Sequence, residues 1–522
     1  VTDFGVFAVA ASDPNRRALV DPDGSEATYG ELVGSMYAQT HGLRALGLGP
    51  GDTVAAVLPN SRELLELYGA AVASGLTFVA PNWHLGADEL AYVLDDSGTR
   101  AVVAHERFAE VAREAADAAG IDAPARFAVG DVAGFRPLDE LAAGFECSPL
   151  DDTVPGKVMF YTSGTTGRPK GVSKRVPPET TEAPLALVTG IGLRASSFVA
   201  LAAASIPDRV DLVCGPLYHA APLAGACSAL DNGALLVMLD KWTPEAFLDR
   251  VERYRVTHVS MVPTMFHRLL ALPADARAGA DVSSLQVVSH AGAPCPIDVK
   301  HRMIEWWGPV LVEAYSSTEG AGTTVTSEEW LRRPGTVGRP SPGVQLVIVD
   351  DDGNECATGQ PGLVYLSQAY WEFEYHNDAE KTQAGRRGEL YTVGDIGYVD
   401  EEGYLFLCDR QADVIVSGGV NIYPAEVEAV LLTHPAVADG VVVGVPSDEW
   451  GEEVRAVVEV SAGTAADAGL ASELVEFCRA ELAHYKCPRA VDFVDSLGRD
   501  PNGKIRKKPI RDRYWQGRAR KI

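Results

Sequence analysis

No stretch of the 522 residues is apolar for long enough to span a bilayer, so no membrane helix is expected. Eight cysteines are scattered without a single C-x-x-C pair. Neither a zinc site nor a disulfide frame is therefore expected, and the pattern reads as reduced, cytoplasmic usage. Basic residues are scarce, 45 Lys and Arg against 72 Asp and Glu, for a net charge of −27. That balance argues against a nucleic-acid partner and against an anionic membrane surface. The first residues, from Val1 to Gly5, show neither a basic start nor an apolar core, so no secretion signal is visible there. Internal repeats and low-complexity linkers are missing too.

What remains is a chain with 46% hydrophobic residues and a mean hydropathy near zero, as in a soluble globular protein. Its length exceeds one ordinary domain. Over residues 28–150 helix and strand signals alternate. Thr28-Tyr-Gly-Glu31 is a capping box that opens a helix, and the glycines at 47, 49 and 51 close it. Strands are predicted over 53–58, 76–79 and 101–104, with helices over 61–75 and 87–95. Further strands are expected at 158–162, 235–239, 258–262, 285–289 and 310–314. Such alternation predicts an α/β fold with mostly parallel sheets covered on both faces. Strands at 344–349 and 362–367 lack intervening helices and suggest a smaller β-rich unit, followed by a hairpin over 398–407. After about Asp409 the pattern becomes a compact α+β lobe. The expected division is 1–409 and 410–522, with a hinge near 409–413.

The most informative string is Tyr161-Thr-Ser-Gly-Thr-Thr-Gly-Arg-Pro-Lys170-Gly-Val172. A strand feeds a loop of glycines and hydroxyls that ends on a lysine. Glycines let backbone N–H groups converge on an anion, and hydroxyls and an ammonium add donors. Taken alone, such a loop is more often a flexible turn. Other strings stand beside it. Pro216-Leu-Tyr-His219 follows a strand, though a lone histidine is usually structural. His290-Ala-Gly-Ala-Pro294 and Glu313-Ala-Tyr-Ser-Ser-Thr-Glu319 also follow predicted strands, where open α/β sheets bind ligands. Tyr315 offers a flat face, Thr318 a hydroxyl and Glu319 a hard oxygen ligand. Tyr391-Thr-Val-Gly-Asp395 precedes the hairpin. Asp409-Arg410 leads into Ser417-Gly-Gly-Val-Asn421, and Asn502-Gly-Lys504 opens a basic tail.

In this order, and over nearly the whole chain, these strings resemble the adenylate-forming superfamily, and within it the AMP-forming acyl-CoA synthetases. The resemblance implies ATP, Mg²⁺ and coenzyme A as cosubstrates and cofactor. Thr162, Ser163, Gly164, Thr165, Thr166, Gly167 and Lys170 would hold the β- and γ-phosphates. Gly292, Ala293, Pro294, Tyr315, Ser316 and Thr318 would line the rest of the nucleotide site. Asp395 and Arg410 would meet the ribose, and Glu319 with Thr166 the Mg²⁺. His219 would lie at the acyl pocket. Gly418 and Gly419 would make room for the thiol-bearing arm of CoA. Lys504 would bridge the substrate carboxylate and the α-phosphate, so the catalytic set is Lys504, Thr166, Glu319 and His219.

The implied reaction joins an apolar carboxylic acid to CoA through an acyl-adenylate, with the small lobe rotating between the two steps. The implied partners are small molecules, and a homodimer is compatible with the resemblance. Small residues such as Ala220, Ala291 and Gly320 suggest a roomy pocket for a fatty, aromatic or polycyclic acid. Three departures stand out: Ala412 at the hinge pivot, Gly498 where proline is common, and Pro509 in the basic segment. They leave open a half-enzyme that acts on a preformed acyl-adenylate. Loading of a carrier protein, luciferase-like oxidation and a non-catalytic sensor are the other readings. Asp495-Ser496-Leu497 looks like a phosphopantetheine attachment site, but it lacks a carrier's own helical domain. The tail from Arg511 to Lys521 reads as a solvated basic surface.

Overall fold

The computed structural model describes residues 5–162, 169–175, 208–320, 322–368, 372–418, 420–499 and 505–516. Among them the strands form four sheets, and two of these are large and mostly parallel. In one, Leu311–Tyr315, Val287–His290, His258–Met261, Val210–Val213, Leu235–Met238 and Arg17–Val20 lie side by side. All neighbouring pairs in that run are parallel. In the other, Lys157–Thr162, Thr77–Val79, Thr53–Val57, Thr99–His105 and Arg126–Val129 do the same. Every residue of Thr53–Val57 is buried, as expected when helices cover both faces. No helix of the described residues is long and apolar enough to cross a membrane.

Local chemistry explains many of the boundaries. Thr28 and Glu31 form the reciprocal capping bonds of the helix Tyr29–Ala45. Thr243 accepts from the Ala246 N–H at 3.1 Å and caps Pro244–Tyr254. Ser61 stands at the cap of Arg62–Ala73 but makes no side-chain cap bond. The strand expected at 285–289 lies at Val287–His290, because the Leu285 N–H turns back to the Val282 carbonyl.

Antiparallel pairings complete the edges of this framework. Lys157–Thr162 folds back on Lys170–Arg175, with Thr162 opposite Lys170. Glu372–Tyr375 then adds itself to the same edge. Separately, Asp395–Val399 pairs with Leu405–Arg410 in a smaller antiparallel sheet, with Asp395 opposite Arg410. The last sheet begins at Ile415–Ser417 and contains Val437–Ser447, Gly451–Val460 and Ala490–Phe493, with its own core around Val427, Leu431, Val442 and Leu474.

Beneath the strand ends of the first sheet lies a buried ion pair. Lys300 Nζ, on the helix Ile297–Trp307, donates to Glu313 Oε2 at 2.6 Å, and both residues are buried. Its ammonium also sits 4.8 Å from the Trp330 ring centroid. Burial pushes the Glu313 carboxyl up, and Lys300 opposes that shift. Removing one partner strands a charge in the core. Lys300→Met is expected to lower unfolding free energy by about 3–5 kcal/mol. Lys300→Met with Glu313→Leu should cost clearly less than either single change. Urea unfolding of the three variants checks this; additive losses would contradict it.

Candidate active site

The site forms where the carboxyl ends of both parallel sheets meet the antiparallel hairpin. Tyr315 is the last residue of its strand, and its hydroxyl donates to Asp395 Oδ2 at 2.7 Å. Arg410 Nε lies 3.3 Å from the other oxygen, Asp395 Oδ1. Three stretches far apart in sequence thus converge on one carboxylate, which is 8% exposed. Burial, then the Asp395 charge, pushes the Tyr315 phenol up, so it stays a donor at neutral pH. Gly292 follows Val287–His290 at φ +85°, a conformation that favours glycine, and opens the Ala293–Pro294 turn. Ser316 and Thr318 lie in the turn after Tyr315, closed by bonds between Ser317 and Gly320.

A second group of side chains gathers around Glu319. The Tyr375 hydroxyl donates to Glu319 Oε1 at 2.8 Å. Lys170 Nζ lies 3.3 Å from Asp378 Oδ2 and 5.9 Å from the Tyr375 ring centroid. Asp378 Oδ1 accepts the Lys381 N–H at 3.0 Å and so caps the short helix Ala379–Ala384. The Lys381 ammonium lies 5.0 Å from the same Tyr375 ring. Burial pulls Lys174 down to about 8, against the opposing pull of Glu319. The segment after Tyr375 is tied to the second parallel sheet. Asn377 Nδ2 donates to Asp96 Oδ1 at 3.3 Å, and the Tyr161 hydroxyl to Asp96 Oδ2 at 2.6 Å.

Among the described residues no group of three or more His, Cys, Asp or Glu could hold a metal. Glu319, with Asp378 the second carboxylate of this corner, offers one hard oxygen ligand. That suits Mg²⁺, which keeps few protein ligands and takes phosphate oxygens.

His219 stands at the N-cap position of the helix Ala220–Asp231 without a side-chain capping bond, and its ring lies 4.4 Å from that of Tyr218. Tyr218 meets Trp83 edge-on at 5.8 Å, and Trp83 stacks on Phe108 at 5.0 Å. Ring contacts thus run from His219 through Tyr218 and Trp83 to Phe108. The loop before His219 is held by Asn60. This buried amide donates to Gly215 and Leu239 carbonyls at 3.1 Å and accepts the Leu217 N–H at 2.8 Å.

Of the residues singled out in the sequence, Tyr315, Asp395 and Arg410 come together directly. Lys170 and Glu319 share Tyr375 as a neighbour. Thr162 stands opposite Lys170 at the mouth of its loop. Gly418 lies in the turn just after Ile415–Ser417, at φ +59°, where a Cβ would come within 2.7 Å of the Trp450 indole. Ser163, Gly164, Thr165, Thr166, Gly167, Gly419 and Lys504 lie outside the described residues. Sequence reading missed Tyr375, Asp378, Lys381, Lys174 and Asn60. It also took Arg511 for solvated surface. Its side chain is 11% exposed, with Nη1 donating to the Ala412 carbonyl at 2.7 Å and lying 3.4 Å from Asp413 Oδ1. Residues 412–413 therefore have a basic partner from the helix Lys507–Asp512.

A family model described as AMP-binding enzyme matches residues 6–373, and one described as AMP-binding enzyme C-terminal domain matches residues 426–504. A feruloyl-CoA synthase from an Amycolatopsis species is 35% identical over 96% of this chain and 98% of its own length. The long-chain-fatty-acid–CoA ligase FadD13 of Mycobacterium tuberculosis is 30% identical over 97% of both chains. Among solved structures, o-succinylbenzoate CoA synthetase of Bacillus subtilis, in complex with its acyl-adenylate intermediate, superposes with a TM-score of 0.80. It is 26% identical and covers 99% of each chain.

If Tyr315 orients Asp395 for a ligand, Tyr315→Phe should weaken AMP binding by roughly tenfold or more, the worth of one hydrogen bond to a charged group. Titration calorimetry with AMP reads this directly; unchanged affinity would show that the bond does not serve the ligand.

Proposed function

The chain belongs to the family of AMP-binding enzymes, and on that basis we propose that it is an AMP-forming acyl-CoA ligase acting on an apolar carboxylic acid. The supporting observation is the shared Asp395 carboxylate. Tyr315 and Arg410 each meet one of its oxygens, which leaves acceptor lone pairs of the kind two vicinal ribose hydroxyls would use. Lys170 and Glu319, grouped around Tyr375, suit the polyphosphate end of the same nucleotide.

In the first step a carboxylate oxygen of the acid attacks the α-phosphorus of ATP. A P–O bond breaks, pyrophosphate leaves and an acyl-adenylate forms. A weak nucleophile meets a crowded anion, so the protein's task is positioning and charge neutralisation. In this reading Lys170 neutralises the leaving pyrophosphate and Lys504 bridges the acid and the α-phosphate. His219 borders the acyl group, and the loop residues Ser163 to Gly167 contribute N–H and hydroxyl donors. Mg²⁺, held by Glu319 and Thr166, would screen phosphate charge. In the second step the CoA sulfur, as thiolate, attacks the acyl carbonyl and AMP departs. For this the lobe after residue 409 turns, withdrawing Lys504 and bringing the Gly418–Gly419 backbone to the thiol arm. All these groups come from one chain, so a monomer and a homodimer serve the reading equally. All eight cysteines are free, in keeping with a cytoplasmic setting.

The acid is proposed to be aromatic or fatty. The run of rings from Tyr218, beside His219, through Trp83 to Phe108 supports this, as do the relatives' feruloyl and long-chain acyl substrates. With a panel of such acids, pyrophosphate release should be robust for apolar members and negligible for acetate and amino acids. Lys504→Ala should lose about a hundredfold or more in pyrophosphate release. It should retain thioester formation from a supplied acyl-adenylate and CoA. Equal loss in both assays would refute the two-step division of labour. A thioester seen only on an added carrier protein would replace CoA as the acceptor.

A further inference from the structure

The corner around Glu319 keeps positive charges closer together than its own carboxylates require. Lys170 and Lys381 both rest on the Tyr375 ring, 5.9 Å and 5.0 Å from its centroid. Burial first, and then the neighbouring Lys170 ammonium, pulls Lys381 down to about 8. Asp378 reaches Lys170 with one oxygen, and its other oxygen is taken by the Lys381 backbone N–H. Glu319, the other carboxylate nearby, is engaged by the Tyr375 hydroxyl and faces Lys174. Two ammonium groups over one ring repel each other, and the two carboxylates nearby, each already engaged by another donor, leave that repulsion uncancelled. A ligand with several adjacent negative charges would cancel it.

We propose that Lys381 is a second cation for the polyphosphate tail of ATP, working beside Lys170, and that Asp378 is an internal counter-ion which the tail displaces from Lys170. This rests on the ligase reading and extends it to a residue outside the family's strings. Asp378 can release Lys170 while its Oδ1 continues to cap the helix, because the two oxygens have separate partners. The charge pair then acts on ATP and pyrophosphate only. AMP and the acyl-adenylate lack the β- and γ-phosphates and are indifferent to Lys381. Lys381 is thus a polyphosphate-positioning residue that favours the first step.

Titration calorimetry with Mg-ATP and, separately, with AMP tests this without knowledge of the acid. Lys381→Met should weaken Mg-ATP by roughly tenfold or more and leave AMP within about twofold. Lys381→Arg should recover most of the loss. Asp378→Asn, which keeps the cap but removes the competing charge, should tighten Mg-ATP and leave AMP unchanged. Ligand-free melting curves verify that each variant is folded. Unchanged Mg-ATP affinity in Lys381→Met overturns the proposal, as does an equal loss for ATP and AMP. Weaker Mg-ATP binding in Asp378→Asn overturns the counter-ion role. Should the wild-type chain fail to bind Mg-ATP at all, the ligase reading falls, and this inference with it.

Discussion

A carboxylate that is almost fully buried must be paired, and Asp395 finds its partners on two different sheets. Tyr315 brings the end of the outermost strand of the parallel run to it. Arg410 brings the far strand of its own hairpin, in register across from it. Tying these elements together fixes the distance between the parallel sheet and the antiparallel one. It also sets where the chain leaves for the last sheet, since Arg410 lies only five residues before Ile415. The proposed nucleotide site and the proposed hinge thereby share the Asp395 carboxylate as a support.

The Glu319 corner follows the same logic with the opposite excess of charge. The strand Glu372–Tyr375 pairs with the edge strand Lys170–Arg175 and so carries Tyr375 into contact with Glu319. Asp96 anchors the turn after Tyr375, through Asn377 and Tyr161. One end of the site is thus an acidic residue with donors around it, and the other a lysine cluster with few acids. That polarity matches a nucleoside at one end and its polyphosphate at the other. In a chain of net charge −27, a local group of lysines also focuses an anionic substrate where the bulk field would repel it.

How much of this was legible in the sequence depended on whether the signal was local. The Thr28–Glu31 box and the alternation of strands and helices are short-range chemistry, and they are where the sequence puts them. Tyr315, Asp395 and Arg410 were named by their strings, although nothing in those strings says that the three touch. Asn60 left no signal, because its partners at Gly215 and Leu239 are 155 and 179 residues away. Lys381 looked like any lysine on a short helix; only the pairing of Glu372–Tyr375 with Lys170–Arg175 makes it a neighbour of Lys170. Arg511 was misjudged for the same reason, since its partner Ala412 lies 99 residues earlier.

In the two-step scheme the acid's own oxygen attacks the α-phosphorus at this site, before the thiol arrives. Turnover of a reactive acid labelled with ¹⁸O in its carboxylate, with ATP and CoA, tests it by mass spectrometry of the products. One labelled oxygen is expected in every AMP released, none in pyrophosphate, and one AMP for each CoA thioester. Label in inorganic phosphate, or ADP in place of AMP, would contradict the scheme.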